Sequence, residues 1–193
     1  AYSFDVAAGE RFFFQNLSAA GGPAYWRLLD PFGRAVWGPE GVGTDIGTLD
    51  LPLAGRYTLL VEGRRDAGGD IPYRFNVQRV VDSSAALVLG SVVDGNIAQA
   101  GARAHYSFSL AADAQLVFDS RLNQSGFRWS LTGPRGTVVS ARAISQSDSA
   151  DFGANPVLKL GAGDYTLTID PDGDLTGAYA FRLVDLANTT DVQ

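Results

Sequence analysis

The chain has 193 residues, 46% hydrophobic and 19% charged, with a net charge of −6, one histidine and no cysteine. Lack of cysteine excludes disulfides, thiolate nucleophiles and zinc–sulfur centres, and no apolar run approaches the roughly 20 residues of a membrane helix. The 14 arginines and single lysine are dispersed along the chain and form no basic stripe, which argues against a nucleic-acid partner.

From the N-terminus, Tyr2-Ser3-Phe4 alternates as a strand does. After an Ala8-Gly9 turn comes the aromatic run Arg11-Phe12-Phe13-Phe14. A Gly21-Gly22-Pro23 turn leads to Trp26-Arg27-Leu28 and the turn Asp30-Pro31-Phe32-Gly33. Trp37 beside Gly38-Pro39 reads as a loop residue. Ala54-Gly55 then turns into the alternating strand Tyr57-Thr58-Leu59-Leu60-Val61, and Gly68-Gly69-Asp70 precedes Tyr73, Phe75 and Val77 on one face. Each of Gly55 and Gly163 permits a tight turn, so that Tyr57 and Tyr165 pack at a corner with the hydroxyl bonded to backbone.

A short connection near residues 82–87 leads to Leu87–Ile97, which reads as one or two further strands. The earlier landmarks then return: Tyr106-Ser107-Phe108, Gln115–Phe118, Trp129-Ser130-Leu131, Pro134-Arg135-Gly136, Gly163-Asp164-Tyr165-Thr166-Leu167, and Tyr179, Phe181 and Leu183. Residues 140–150 are too serine-rich for a helix and read as a loop. Tyr2/Tyr106, Tyr57/Tyr165 and Tyr73/Tyr179 lie 104, 108 and 106 residues apart, so the loops have drifted while the strands have not. The expected fold is all-β, two tandem jelly-roll-like antiparallel β-sandwich domains, 1–84 and 85–193.

Nothing equivalent to Leu87–Ile97 precedes Tyr2. The expectation is therefore a fragment cut out of phase from a longer array, its targeting segment elsewhere. Its first module would lack an opening strand and expose a sheet edge open to a neighbour or another copy.

These landmarks resemble the bacterial pre-peptidase C-terminal (PPC) domain, whose pattern has a leading G-x-V-x-G-x-(I/L) strand, Y-x-F, D-P-x-G, A-G-x-Y-x-L and a closing Y-x-(F/L)-x-(V/L). Gly90, Val92 or Val93, Gly95, Ile97, Tyr106, Phe108, Pro134, Gly136, Gly163, Tyr165, Tyr179 and Phe181 carry it in the second half. Tyr2, Phe4, Asp30, Pro31, Gly33, Gly55, Tyr57, Tyr73 and Phe75 carry it in the first. Thr132-Gly133 departs from the aspartate expected before Pro134. The resemblance implies a jelly-roll-like sandwich beside secreted peptidases or in surface and adhesive proteins, some of which bind calcium or polymers such as collagen.

Residues 82–193 hold twelve acids, all aspartate, against seven basic residues. Asp170, Asp172 and Asp174 alternate across a glycine-containing turn and are candidate calcium ligands; the alternative is a solvated acidic turn. The first copy's counterpart, Glu62-Gly63-Arg64-Arg65-Asp66, carries two arginines in its place. Trp37, without a counterpart in the second copy, is the candidate exposed aromatic for a polymer or glycan; Trp26 and Trp129 read as core. The lone His105 has no G-x-S-x-G elbow to serve, and no catalytic residue is assigned. Three N-glycosylation sequons, at Asn16, Asn123 and Asn188, read as chance in a bacterial-looking chain.

The expectation is a non-catalytic repeat segment of a large secreted or cell-surface bacterial protein, acting as stalk, adhesive or matrix-binding module. Its partners would be neighbouring repeats and an extracellular polymer or glycan, and calcium is the one candidate cofactor. The alternative is an accessory polymer- or carbohydrate-binding pair attached to a secreted peptidase or glycosidase.

Overall fold

The computed structural model describes residues 1–19, 24–65, 68–148 and 153–188. The Gly21-Gly22-Pro23 turn, Asp66, the last two residues of the 140–150 loop and Thr189-Thr190 lie outside the described residues. The chain divides into two compact units, Ala1–Val80 and Val81–Gln193.

The first unit holds seven strands: β1 (Tyr2–Val6), β2 (Glu10–Ala19), β3 (Ala24–Leu29), β4 (Ala35–Gly41), β5 (Gly47–Leu51), β6 (Gly55–Gly63) and β7 (Tyr73–Val80). They form two antiparallel sheets, ordered β1-β6-β3-β4 and β5-β2-β7. Sequence alternation becomes alternation of burial, most plainly in β3, where every second residue is buried. Trp26, Leu28, Tyr57 and Leu59 from one sheet meet Phe12, Phe14 and Leu51 from the other in a single core, the packing of a β-sandwich.

The second unit begins with β8 (Ser83–Ala86) and β9 (Val92–Ile97). Seven strands follow: β10 (Ala104–Leu110), β11 (Ala114–Ser120), β12 (Phe127–Gly133), β13 (Gly136–Ala143), β14 (Leu158–Leu160), β15 (Gly163–Pro171) and β16 (Gly177–Asp185). Its sheets are ordered β13-β12-β15-β10-β8 and β14-β11-β16-β9. With β8 and β9 set aside, the remaining order is that of the first unit. The two extra strands lie outside β10 and β16, which take the places of β1 and β7. Phe118 stacks on Trp129 at 4.2 Å between centroids and on Phe181 at 5.1 Å, tying the two sheets together.

Three local readings change. Residues 83–86, expected as connection, are a strand, and its pairing with β10 is parallel, where the other strand pairs among the described residues are antiparallel. The serine-rich stretch expected as loop is β13 as far as Ala143, followed by a 3-10 turn over Ile144–Gln146. Trp37 lies within β4, opposite Leu28, in a strand whose register shifts on both sides of that pair.

The corner reading holds in both units. The Tyr57 hydroxyl donates to the Leu53 carbonyl at 3.1 Å, and Tyr165 donates to Gly161 at 2.8 Å. Gly55 and Gly163 take φ of +136° and +139°, and a Cβ on either would meet the turn proline, Pro31 at 2.8 Å or Pro134 at 2.3 Å. Corner glycine and turn proline thus recur together because one sits on the other. A Cβ on Gly133, before Pro134, would meet the Tyr165 ring at 2.3 Å.

Candidate functional site

Period-2 geometry gives each strand an outer face as well as a core face. On β10, β12 and β15 the outer positions are polar throughout. Register places His105 opposite Thr168, Ser107 opposite Thr166 and Ser109 opposite Asp164. On the other side of β15, Arg128, Ser130 and Thr132 lie opposite Asp170, Thr168 and Thr166. The result is a hydroxyl-rich ladder across the middle of the five-stranded sheet, with charge at both ends. Its inner side is Tyr106, Phe108, Trp129, Leu131, Tyr165, Leu167 and Ile169, all buried.

Two of the three candidate calcium ligands end this ladder in ion pairs. Asp170 accepts from Arg103 Nε at 2.8 Å, and Asp172 accepts from Arg128 Nε at 2.6 Å. The hydrogen bond from Arg128 to Asp172 holds the guanidinium more firmly protonated than usual. Asp172 also anchors the turn by donating its backbone N–H to Gly126. Among the described residues no group of three histidine, cysteine, aspartate or glutamate side chains is placed to hold a metal ion. The three aspartates are thus not brought together on one point; guanidinium groups take two of them.

His105 lies mid-ladder. Its Nδ1 is 3.0 Å from the Thr168 hydroxyl, and its Nε2 is 3.5 Å from Asp82. Acid, imidazole and hydroxyl therefore fall in line, an arrangement the sequence hides because the partners are 23 and 63 positions away. The carboxylate is beyond ordinary hydrogen-bond reach, and Asp82 is engaged at 2.8 Å by the backbone N–H of Arg103. The His105–Thr168 contact joins β10 to β15, with Asp82 just ahead of β8 beside it.

Trp37 is half-buried, its ring edge-on to Trp26 at 5.3 Å and to Phe14 at 5.5 Å. It packs against the first unit's core. Its Nε1, like that of Trp26, is buried without a hydrogen-bond partner. In the second unit the corresponding Trp129 Nε1 donates to Ser147 at 2.7 Å, and the Ser147 hydroxyl donates on to Ala143. No sequence signal marks Ser147, which lies 18 residues beyond its tryptophan.

At one end of the second unit, Asp113, Gln115, Arg135, Lys159 and Asp185 rim an open cleft of about 680 Å³. It mixes both signs of charge with the apolar floor of Ala114 and Leu160.

No protein-family model matches the chain, and no curated protein does. Among solved structures, the pre-peptidase C-terminal domain of a collagenase from Bacillus anthracis is similar at 14% identity and a TM-score of 0.39, over 56% of this chain and 99% of that one. PliG from Salmonella Typhimurium, a periplasmic inhibitor of g-type lysozyme, is similar at 15% identity and a TM-score of 0.41, over 53% and 98%. The CUB1-EGF-CUB2 region of human MASP-1/3 covers 95% of this chain and 92% of its own at 8% identity and a TM-score of 0.31.

Proposed function

We propose that this chain is a non-catalytic pair of β-sandwich modules from a large secreted or cell-surface protein, serving as an adhesive or matrix-binding segment of a stalk. The observation that carries the reading is the division of labour between sheet faces. Residues shared by the two halves go to core and corners: Trp26 and Trp129, Tyr57 and Tyr165, Gly55 and Gly163 with their prolines. The outer face of the second unit is left as a ladder of hydroxyl and ion-paired groups. Such a face suits an extended, polar, repetitive ligand that lies across strands, because short hydroxyls donate and accept with little side-chain entropy to lose.

The accessory reading, in which the pair holds a secreted hydrolase on its polymer, is favoured by the cleft at the end of the second unit. Its carboxylates, Arg135 and Lys159 offer donors and acceptors to a single polymer end. One experiment tests both: the chain is screened on immobilised matrix proteins and glycans, with product release followed in parallel. Binding lost in Thr166→Ala/Thr168→Ala supports the ladder, and binding lost in Lys159→Ala supports the cleft. Turnover that disappears in His105→Gln or Thr168→Val overturns the non-catalytic reading.

A further inference from the structure

The two units differ at the outer edges of corresponding strands. In the second unit, β9 lies antiparallel along β16, with Gly95 opposite Tyr179, Asp94 opposite Ala180 and Val93 opposite Phe181. In the first unit β7 holds the place of β16: β2 pairs Phe14 with Val77, as β11 pairs Phe118 with Leu183. Among the described residues no strand lies on the far side of β7.

Side chains along that edge record the difference. Tyr179, Phe181 and Leu183 are buried, whereas Tyr73, Phe75 and Val77 are only half-buried. The Tyr106 and Tyr179 hydroxyls bond at 2.7 Å in a buried pair. Tyr2 and Tyr73 make the same bond at 3.1 Å in the open, with Tyr2 47% exposed against 9% for Tyr106. The pair is assembled, but among the described residues no strand covers it as β9 does in the second unit.

We infer that the outer edge of β7 is an acceptor for an extended strand of β9 chemistry, supplied from outside the described residues. This rests on the comparison of the two units and not on the adhesive role. Three features define the occupant. Its backbone runs antiparallel to β7 and completes the ladder of N–H and C=O groups. It carries glycine opposite Tyr73, since a Cβ at Gly95 would meet the Tyr179 ring at 2.3 Å. It carries an acid one position earlier. Transferred in register, Asp94 would stand opposite Arg74, which is exposed and replaces the neutral Ala180. A cross-strand pair of opposite charge brings Cβ atoms within about 5 Å. The acceptor edge is therefore better matched in charge to a β9-type strand than β16 itself.

The test uses the whole chain and a peptide of the sequence Gly90–Ala98. Amide exchange is mapped residue by residue, which separates binding at β7 from any exchange into the second unit. There the tethered β9 competes at an effective concentration of about millimolar or above. The expected result is slowed exchange along Tyr73–Val77, absent with a Gly95→Val peptide. Arg74→Glu should weaken binding of the native peptide about two- to fivefold, the span of a cross-strand charge pair, and an Asp94→Lys peptide should recover it. Equal binding of the Gly95→Val peptide, or no protection at millimolar peptide, overturns the proposal. So does a concentration-dependent dimer that protects the same amides and is not displaced by peptide, since the edge then takes a second copy.

Discussion

Gly163→Ala concentrates the logic of the corner in one methyl group. Two costs add. A φ of +139° is nearly closed to residues with a Cβ, a conformational penalty of about 1–3 kcal/mol. The new Cβ would also lie 2.3 Å from Pro134 Cγ, and relief by overpacking adds another 1–3 kcal/mol or so. A loss near 3 kcal/mol lowers the melting temperature of a domain of this size by roughly 12 °C or more. Gly9→Ala is the control, for its φ is +80° but nothing lies within 4 Å of its Cβ. Denaturant melts of the single variants and of Gly163→Ala/Pro134→Ala form a double-mutant cycle. The proline deletion should return the steric part and leave the backbone part. If Gly163→Ala costs no more than Gly9→Ala, or if Pro134→Ala returns nothing, the proline–glycine contact does not set the corner.

Four further outcomes follow from the geometry. Ser147→Ala strands the buried Trp129 Nε1 and should destabilise the second unit by about 1–3 kcal/mol, with a red-shifted or quenched tryptophan emission marking the site. Tyr165→Phe removes the bond to Gly161 and should cost about 1 kcal/mol by the same melts. Burial works against the Asp30 charge, but backbone N–H groups of Arg34 and Phe32 and the Arg34 guanidinium outweigh it, so the carboxyl titrates below its ordinary value. Its contribution is therefore complete above the ordinary carboxylate range and is lost as pH falls through the lowered value. Acid melts of Asp30→Asn should lack that part of the decline. Millimolar calcium should leave the melting temperature unchanged while Arg103 and Arg128 hold Asp170 and Asp172; a rise abolished by Asp172→Ala would show the carboxylates regrouping around the ion.

Strands such as Tyr57–Val61 and Tyr165–Ile169 were legible because one face is core and the other solvent, which writes period 2 into the residues. The corners were legible because glycine and tyrosine have few other reasons to recur two positions apart. Trp37 was not, since Gly38-Pro39 reads as a turn. In the fold Gly38 lets β4 run close over β3, where a Cβ would lie 2.6 Å from the Trp26 carbonyl oxygen, so the pair marks an irregular strand. β8 escaped because Ser83–Ala86 is short, small and exposed, and only its pairing with β10 makes it a strand. The arginines that occupy Asp170 and Asp172 stand 67 and 44 residues away, and no local pattern carries such information.

The position of β9 has a consequence for how the second unit is made. Its partner residues on β16 lie 80 to 90 positions downstream. A ribosome adding about 5–20 residues per second takes on the order of 4–18 s to supply them. For that interval Val92–Ile97 is a nascent strand with nothing to pair with, the state in which apolar segments clump. Asp94, Gly95 and Asn96 interrupt the apolar run between Val93 and Ile97, and such gatekeepers weaken promiscuous stacking. Gly95, which clears space for Tyr179 in the finished sheet, thus belongs to a trio that keeps the strand soluble while the tyrosine is still to be translated.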